Sequence, residues 1–365
     1  MSRKVFILLP ALVPTGPVKG AFALANGLSA THSVTIVTLR SGPGANARLS
    51  EKVAVRTLGA SKERLGHLVR CYRELLSEAG GRSGVASISM CYSADSVNRY
   101  LRDHAVLISS VRGNLLRNYR ADYGVLGLGL AVTHLLKLRA YDHVVAMTQA
   151  MGRQIRVYSG KQPRVIGNFV DEEALEEPRR LRALRGPYAR NPRRFAFIGS
   201  LTERKQPLRV IEALHTLLAG GLAATLDIVG DGPLRTAVEA RVTERRLQDK
   251  VTVHGFVADP YRILLEADVL VLPSYSEGVP RAALEALYLG IPCVMRAVDG
   301  NSELICEGRN GVIFSRDDRL ADAMAAAMEL ALLQSSSTSL LPSNFQQDLA
   351  VRKYAELVDG DAGQP

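Results

Sequence analysis

The sequence predicts an α/β protein built from two Rossmann-like, doubly wound domains, and three observations lead there. Apolar runs such as Val5–Leu9, Val34–Leu39 and Val269–Leu272 show no polar alternation, the pattern of strands in a parallel sheet covered by helices on both faces. Helical patterns separate these runs and give the rhythm of βαβ units. The rhythm occurs twice, on either side of a charge-dense, Pro-containing stretch at Glu172–Arg194 that reads as a linker and a surface helix. At 365 residues and 39.6 kDa the chain is long enough for two such domains, 1–175 and 190–340, without disulfides.

The first apolar run stops at Pro10, short of a signal-peptide core, and so reads as a strand. A Gly/Pro loop, Ala11–Gly20, leads into a helix over Ala21–Leu28 and a strand over Val34–Leu39. Ser61–Leu76 reads as an amphipathic helix, with Leu65, Leu68, Val69, Tyr72, Leu75 and Leu76 on one face. Core packing and contact with a membrane surface are both open for that face. Ala105–Ser109 and Val144–Met147 are the later strands of the first domain. In the second, Phe195–Ile198 leads into Gly199, Thr225–Val229 into Gly230-Asp-Gly-Pro233, Val251–Val253 into His254-Gly255, and Val269–Leu272 into Pro273, before a last strand at Cys293–Met295. A loop at Gln334–Asn344 precedes a helix, 345–358, expected to pack back on the first domain, and a tail at Asp359–Pro365.

Composition narrows the function classes. Hydrophobic residues at 47% and charged residues at 22% fit a globular protein and exclude disorder and long coiled coils. No window approaches the roughly 20 apolar residues of a spanning helix; the nearest, Tyr123–Leu138, is interrupted by glycines, His134 and Lys137. Cys71, Cys91, Cys293 and Cys306 have no metal-ligand spacing and read as reduced, buried thiols of a cytosolic protein. The net charge of +10 is uneven: residues 1–175 hold 23 Lys/Arg against 11 Asp/Glu, and the remainder 23 against 25. A basic first half points to an anionic partner, and the inner leaflet of a membrane suits it better than nucleic acid. With no tryptophan, 5% aromatics and no recognisable nucleic-acid motif, stacking platforms are sparse.

In open α/β sheets, ligands bind outside the carboxyl ends of the strands, so the loops after the second set of strands are the candidate site. Pro273-Ser-Tyr-Ser-Glu277-Gly-Val-Pro280 follows a strand and opens a helix, Arg281–Gly290. The amides of Gly278 and Val279 lie where a helix start favours phosphate. Glu285 comes eight residues after Glu277, about 12 Å of helical rise at 1.5 Å per residue, so the two carboxylates can serve opposite ends of one elongated ligand.

This segment, Ser-Glu277-Gly-Val-Pro-Arg-Ala-Ala-Leu-Glu285-Ala-Leu-Tyr-Leu-Gly-Ile-Pro, resembles the signature of the retaining family 4 glycosyltransferases of the GT-B fold. Phe197-Ile-Gly-Ser-Leu-Thr-Glu-Arg-Lys205 resembles the family's Gly-Arg-Leu-x-x-x-Lys segment, and Asp299-Gly-Asn-Ser-Glu-Leu-Ile305 with Gly308-x-Asn-Gly311 its later motif. Val165–Asp171, Val229–Pro233 and His254–Val257 also match in order, so the likeness runs from about 165 to 315.

The resemblance implies a UDP-, GDP- or ADP-sugar donor on the second domain and a glycan or lipid-linked acceptor on the first, with no cofactor and no metal. It places Glu285 on the ribose, Glu277 on the donor sugar, and Gly278, Val279 and Pro280 along the sugar and phosphate. Lys205 would neutralise the diphosphate, Phe256 and Val257 would face the base, and Gly199 and Gly16 would approach the donor. Two positions depart from the pattern. Ser200 stands where the family carries an arginine, leaving Arg204 as the substitute, and Arg112 stands in the first-domain segment Ile108–Asn114 where many members carry a histidine. The expected catalytic residues are therefore Glu277, Lys205 and Arg112. The expected function is retaining sugar transfer in surface polysaccharide or glycolipid synthesis, in the cytoplasm or at the inner face of its membrane; the alternatives are a non-hydrolysing sugar-nucleotide epimerase and an inactive family member acting as an interaction partner.

Overall fold

The structure is a computed structural model that describes residues 2–13, 15–42, 44, 49–59, 63–184, 193–333 and 338–360. The chain forms two compact units, Met1–Asp171 with Ser343–Pro365, and Glu172–Pro342. Each is a parallel sheet with helices on it.

The first unit runs β1 (Lys4–Leu9), α1 (Gly16–Leu28), β2 (Val34–Thr38), β3 (Val53–Thr57), α2 (Leu65–Glu78), α3 (Gly81–Gly84), β4 (Val85–Met90), α4 (Tyr92–Asn98), β5 (Val106–Val111), α5 (Leu115–Lys137), β6 (His143–Ala146), α6 (Gln149–Ser159) and β7 (Arg164–Val165). Its strands lie in the order β3-β2-β1-β4-β5-β6-β7, all parallel. Ile7 on the central β1 faces Ile36 and Ile88 across the ladder, and all three side chains are fully buried. Pro17 pre-sets the first turn of α1, which buries Ala21, Phe22, Leu24 and Ala25.

The second unit runs α7 (Glu172–Ala183), β8 (Arg193–Ile198), α8 (Pro207–Ala219), β9 (Ala224–Val229), α9 (Arg235–Glu244), β10 (Val251–Gly255), α10 (Tyr261–Glu266), β11 (Val269–Leu272), α11 (Arg281–Tyr288), β12 (Cys293–Arg296), α12 (Asn301–Leu304), β13 (Gly311–Phe314) and α13 (Leu320–Leu333). The parallel order is β10-β9-β8-β11-β12-β13. The switch in strand order falls between β8 and β11, and a doubly wound sheet offers its binding crevice at that point.

The chain then returns to the first unit as α14 (Gln347–Asp359), which lies against α1. Gln347 Nε2 donates to the Ala23 carbonyl at 2.9 Å, and the buried Tyr354 and Ser110 hydroxyls hydrogen-bond at 2.7 Å. Gly27 makes the close approach possible, since a Cβ there would sit 2.3 Å from Val351 Cγ2.

Several expectations need correction. Glu172–Ala183 is part of the second unit: Leu175 is buried, and the buried Arg182 Nη1 donates to the carbonyls of Leu265 and Ala267 at 2.9 and 3.0 Å. The unit boundary is therefore at Asp171, and 185–192 lies outside the described residues. So do 334–337 of the expected loop and 361–365 of the expected tail. The amphipathic helix begins at Leu65, Ser61 and Lys62 lying outside the described residues, and Leu68, Val69, Tyr72 and Leu76 pack into the first unit. Most of its apolar face therefore packs into the core, while Leu65 at its start is 44% exposed and Leu75 half-buried. All four cysteines are free thiols, but only Cys293 is buried; Cys71 and Cys91 are half-buried, and Cys306 is exposed because it lies in the turn before β13. β5 extends to Val111, so Ile108–Val111 is strand and only Arg112–Asn114 is loop.

Gly27→Leu overpacks the α1–α14 contact and is expected to destabilise the chain by about 1–3 kcal/mol. Urea denaturation of the full chain measures it; an unchanged midpoint would show that α14 is not held as described.

Candidate active site

The turns after β8 and β11 are stitched together. Leu201, fully buried, fixes the first: its amide donates to the Asp231 carbonyl at 2.9 Å and its carbonyl accepts from Leu234 N at 2.9 Å. Gly230, at φ +140°, lies so close to this turn that a Cβ would meet the Gly199 carbonyl oxygen at 1.9 Å. Any larger residue would push the two turns apart. Arg204 then reaches the second turn twice, its carbonyl accepting from Tyr275 N at 2.9 Å and its Nη1 donating to the Ser276 carbonyl at 2.8 Å.

Between these contacts Glu277 is held by cations. Lys205 Nζ donates to Glu277 Oε1, and Arg204 Nη1 stands 3.8 Å from Oε2. Glu277 is 5% exposed, so its charge is removed from water and needs this pairing. Asp299, a non-glycine residue at φ +47°, grips the same turn from the end of β12: its Oδ2 accepts from Ser276 Oγ and from Glu277 N, both at 3.0 Å. Arg296 anchors the start of the turn, with Nε donating to the Pro273 carbonyl at 3.0 Å and its guanidinium 4.6 Å from the Tyr275 ring centre.

Glu285 sits on α11, also 5% exposed. Its Oε1 accepts from Arg281 Nε at 3.0 Å, one helical turn back, and from the Tyr261 hydroxyl at 3.4 Å. Burial, with the Glu285 charge adding to it, pushes the Tyr261 phenol well above its ordinary value, so the phenol stays a proton donor to the carboxylate.

The structure thus gathers Lys205, Arg204 and Glu277 at one point, with Gly199 in the adjoining turn. Gly278 is half-buried, Val279 and Pro280 are buried, and Pro280 precedes the first residue of α11. Ser200 is exposed and supplies no cation, while Phe256 is 63% exposed and Val257 half-buried just beyond β10. Gly16 and Arg112 belong to the first unit. Gly16 opens α1 with open space around its Cα. Arg112 Nη2 donates to Asn168 Oδ1 at 2.8 Å and lies against Gly20, whose missing side chain makes room for it. Sequence reasoning left Ser276, Asp299, Arg296, Arg281 and Tyr261 out of the site. The Asp-Gly step after a strand signalled the turn at Asp299, and the i,i+4 spacing signalled Arg281 with Glu285; nothing local signalled Tyr261. Among the described residues no group of three or more His, Cys, Asp or Glu side chains is placed to hold a metal ion.

With this geometry in place the comparisons define the class. Residues 185–344 match the family model described as Glycosyl transferases group 1, so the chain carries a domain of that family. It has the GT-B fold: sucrose-phosphate synthase from Thermosynechococcus elongatus superposes with a TM-score of 0.77 at 18% identity, covering 97% of this chain and 98% of that one. Anabaena HepE in complex with UDP and glucose gives a TM-score of 0.72, also at 18% identity and with 97% and 98% coverage. In sequence, the chain is 33% identical over 132 residues to the Escherichia coli UDP-Gal:alpha-D-GlcNAc-diphosphoundecaprenol alpha-1,3-galactosyltransferase, covering 35% of this chain and 34% of the relative. The aligned parts span about a third to a half of the curated relatives' length, 34% to 48% in the two extremes.

Asp299→Ala leaves the buried Glu277 amide and Ser276 hydroxyl without their acceptor, a loss expected to cost about 1–3 kcal/mol. Asp299→Asn retains an acceptor and tolerates the left-handed backbone, so it is expected to stay near the parent in urea denaturation; equal losses in both variants would show that the hydrogen bonds are not what matters.

Proposed function

We propose that the chain is a retaining glycosyltransferase that moves a sugar from a nucleotide-sugar donor to a glycan or lipid-linked acceptor in surface polysaccharide or glycolipid synthesis. The observation that carries this reading is the cluster of Lys205, Arg204 and Glu277 at the switch in strand order of the second unit. A diphosphate entering there would share the two cations with Glu277, and their positive charge would stabilise the charge that grows on the diphosphate as the glycosidic bond breaks. Glu277, freed in part from its ion pairs, would take donor sugar hydroxyls, and Glu285, oriented by Arg281 and Tyr261, the ribose. The acceptor oxygen would bond to the anomeric carbon on the face the diphosphate leaves, passing its proton to a diphosphate oxygen, so that configuration is retained without a metal. Arg112, already held by Asn168, is the proposed first-unit group for donor phosphate or acceptor; its planar fork suits either.

The nature of the donor and acceptor follows the relatives. HepE is solved with UDP and glucose, and the Escherichia coli relative is named for a UDP-sugar and a diphosphoundecaprenol-linked acceptor. A UDP-sugar donor is therefore the first expectation, with GDP- and ADP-sugars the other candidates. That lipid-linked acceptor, with the basic first unit, supports work at the inner face of the cytoplasmic membrane.

Thermal stabilisation against UDP-, GDP- and ADP-sugars tests donor binding, since a ligand at 100 times its Kd adds about 2.7 kcal/mol to the folded state. The expected result is a selective rise in Tm that Glu285→Ala abolishes; no rise with any donor would reject the reading. Lys205→Ala removes a group aimed at the leaving diphosphate and is expected to lower kcat on the order of 10²–10³-fold, read with the donor that stabilises the parent. Full turnover in a folded Lys205→Ala or Glu277→Ala variant would remove that residue from the mechanism.

A further inference from the structure

The first unit has an apolar projection that the core does not use. α5 is two helical legs joined at Gly124, whose backbone (φ 61°, ψ −144°) is open to glycine alone in practice. A second glycine, Gly127, closes the bend: a Cβ there would lie 1.8 Å from the Tyr119 carbonyl oxygen. The legs are tied at their base, where Tyr119 OH meets His134 Nδ1 at 3.0 Å and His134 Nε2 meets the buried Asp95 Oδ2 at 2.7 Å. What this clamp presents is Tyr123, Val125 and Leu126 at the tip, 59%, 79% and 84% exposed, followed by the exposed Leu130. Two consecutive aliphatic side chains left in water on a backbone held by two obligatory glycines are not an accident of a loose loop.

The charge around it selects the occupant. The first unit holds 25 Lys/Arg against 13 Asp/Glu, a net +12, whereas the second holds 21 against 23. On the leg before the tip the exposed Arg117 and Arg120 outweigh the exposed Asp122, and the half-buried Lys137 ends the other leg over the Tyr92 ring, 3.6 Å from its centre, with its Nζ donating to Ser96 Oγ at 2.8 Å. Tyr92, Tyr119 and Tyr123 follow one another at 6.3 and 6.2 Å towards the tip. Aliphatic groups at the end, tyrosines behind them and cations further back form the order found across the boundary of an anionic bilayer. Among the described residues no helix is long and apolar enough to cross a membrane, so the contact is interfacial.

We propose that the α5 hairpin tip, Tyr123–Leu130, is a docking element that inserts into an anionic phospholipid surface. The assignment deepens the membrane part of the proposed function and replaces α2, whose apolar face is mostly buried, as the contact. It predicts binding without donor or acceptor, so its failure leaves the transferase reading standing, and loss of donor binding leaves the docking intact.

The full chain is sedimented with vesicles of phosphatidylcholine alone and of phosphatidylcholine with phosphatidylglycerol. Binding at least tenfold stronger to the anionic vesicles, weakened by salt, is expected, together with at least a tenfold loss in Val125→Ser/Leu126→Ser. Because the chain has no tryptophan, Leu126→Trp gives a single reporter whose emission is expected to shift to the blue with anionic vesicles. Anionic vesicles that fail to bind the parent, a double variant that binds like the parent, or an indole emission from the Leu126→Trp variant that does not move would each overturn the proposal. So would a concentration-dependent dimer that the double variant breaks while vesicle binding is unchanged, which would make the tip a contact between copies of the chain.

Discussion

The second unit of this protein depends on one interaction, the burial of the Glu277 carboxylate against Lys205 and Arg204. A charge that is 5% exposed has lost most of its hydration, and only closely placed cations make that tolerable. To place them, the turn after β8 has to reach the turn after β11, and the backbone is arranged around that need. Gly230 lets one turn lie on another, Leu201 nails the first turn into the core, and Arg204 bridges through both its carbonyl and its side chain.

The cost of that arrangement is local strain, and it is concentrated where it helps. Asp299 adopts a left-handed backbone that disfavours side chains with a Cβ, by about 1–2 kcal/mol for most residues. Its carboxylate recovers this by closing two hydrogen bonds onto Ser276 and Glu277. A glycine would relieve the strain and lose the grip; the aspartate keeps the grip and bears the strain. Arg296, stacked on Tyr275 and bonded to the Pro273 carbonyl, holds the other end of the same turn. Glu277 is thereby fixed by its backbone before its side chain meets anything.

Much of this was legible in the sequence because it is written in local terms. Continuous apolar runs announced β1, β2, β8 and β11, and the Glu277–Pro280 turn with its following helix announced itself through Gly, Pro and two spaced glutamates. What escaped was non-local. β4 is Val-Ala-Ser-Ile-Ser-Met, whose serines argue against a central strand, yet all six residues are buried. Its serines are satisfied from elsewhere in the chain, Ser87 by Tyr72 and Asn98, Ser89 by Asp95 and Tyr141, so the strand's identity depends on partners that no window contains. α7 read as part of a linker and surface helix for the same reason: this charge-dense helix packs by burying Leu175 and by Arg182 reaching the carbonyls of Leu265 and Ala267, more than 80 residues away. Tyr261 likewise reaches Glu285 from a different helix, 24 residues earlier in the chain.

The polar network under β4 also explains why the first unit can carry an exposed apolar hairpin at all. Asp95 accepts from Ser89, Ser109 and Tyr141 and faces His134, so the root of α5 is tied to the centre of the sheet. A pair of aliphatic side chains on a mobile loop would collapse onto the nearest apolar surface of its own domain. Held by Gly124, Gly127 and the Tyr119–His134–Asp95 chain, the tip cannot fold back, and its apolar area stays directed outward. The buried polar groups that hide a strand from the sequence reader are the same ones that keep Val125 and Leu126 in the solvent, where only another surface can cover them.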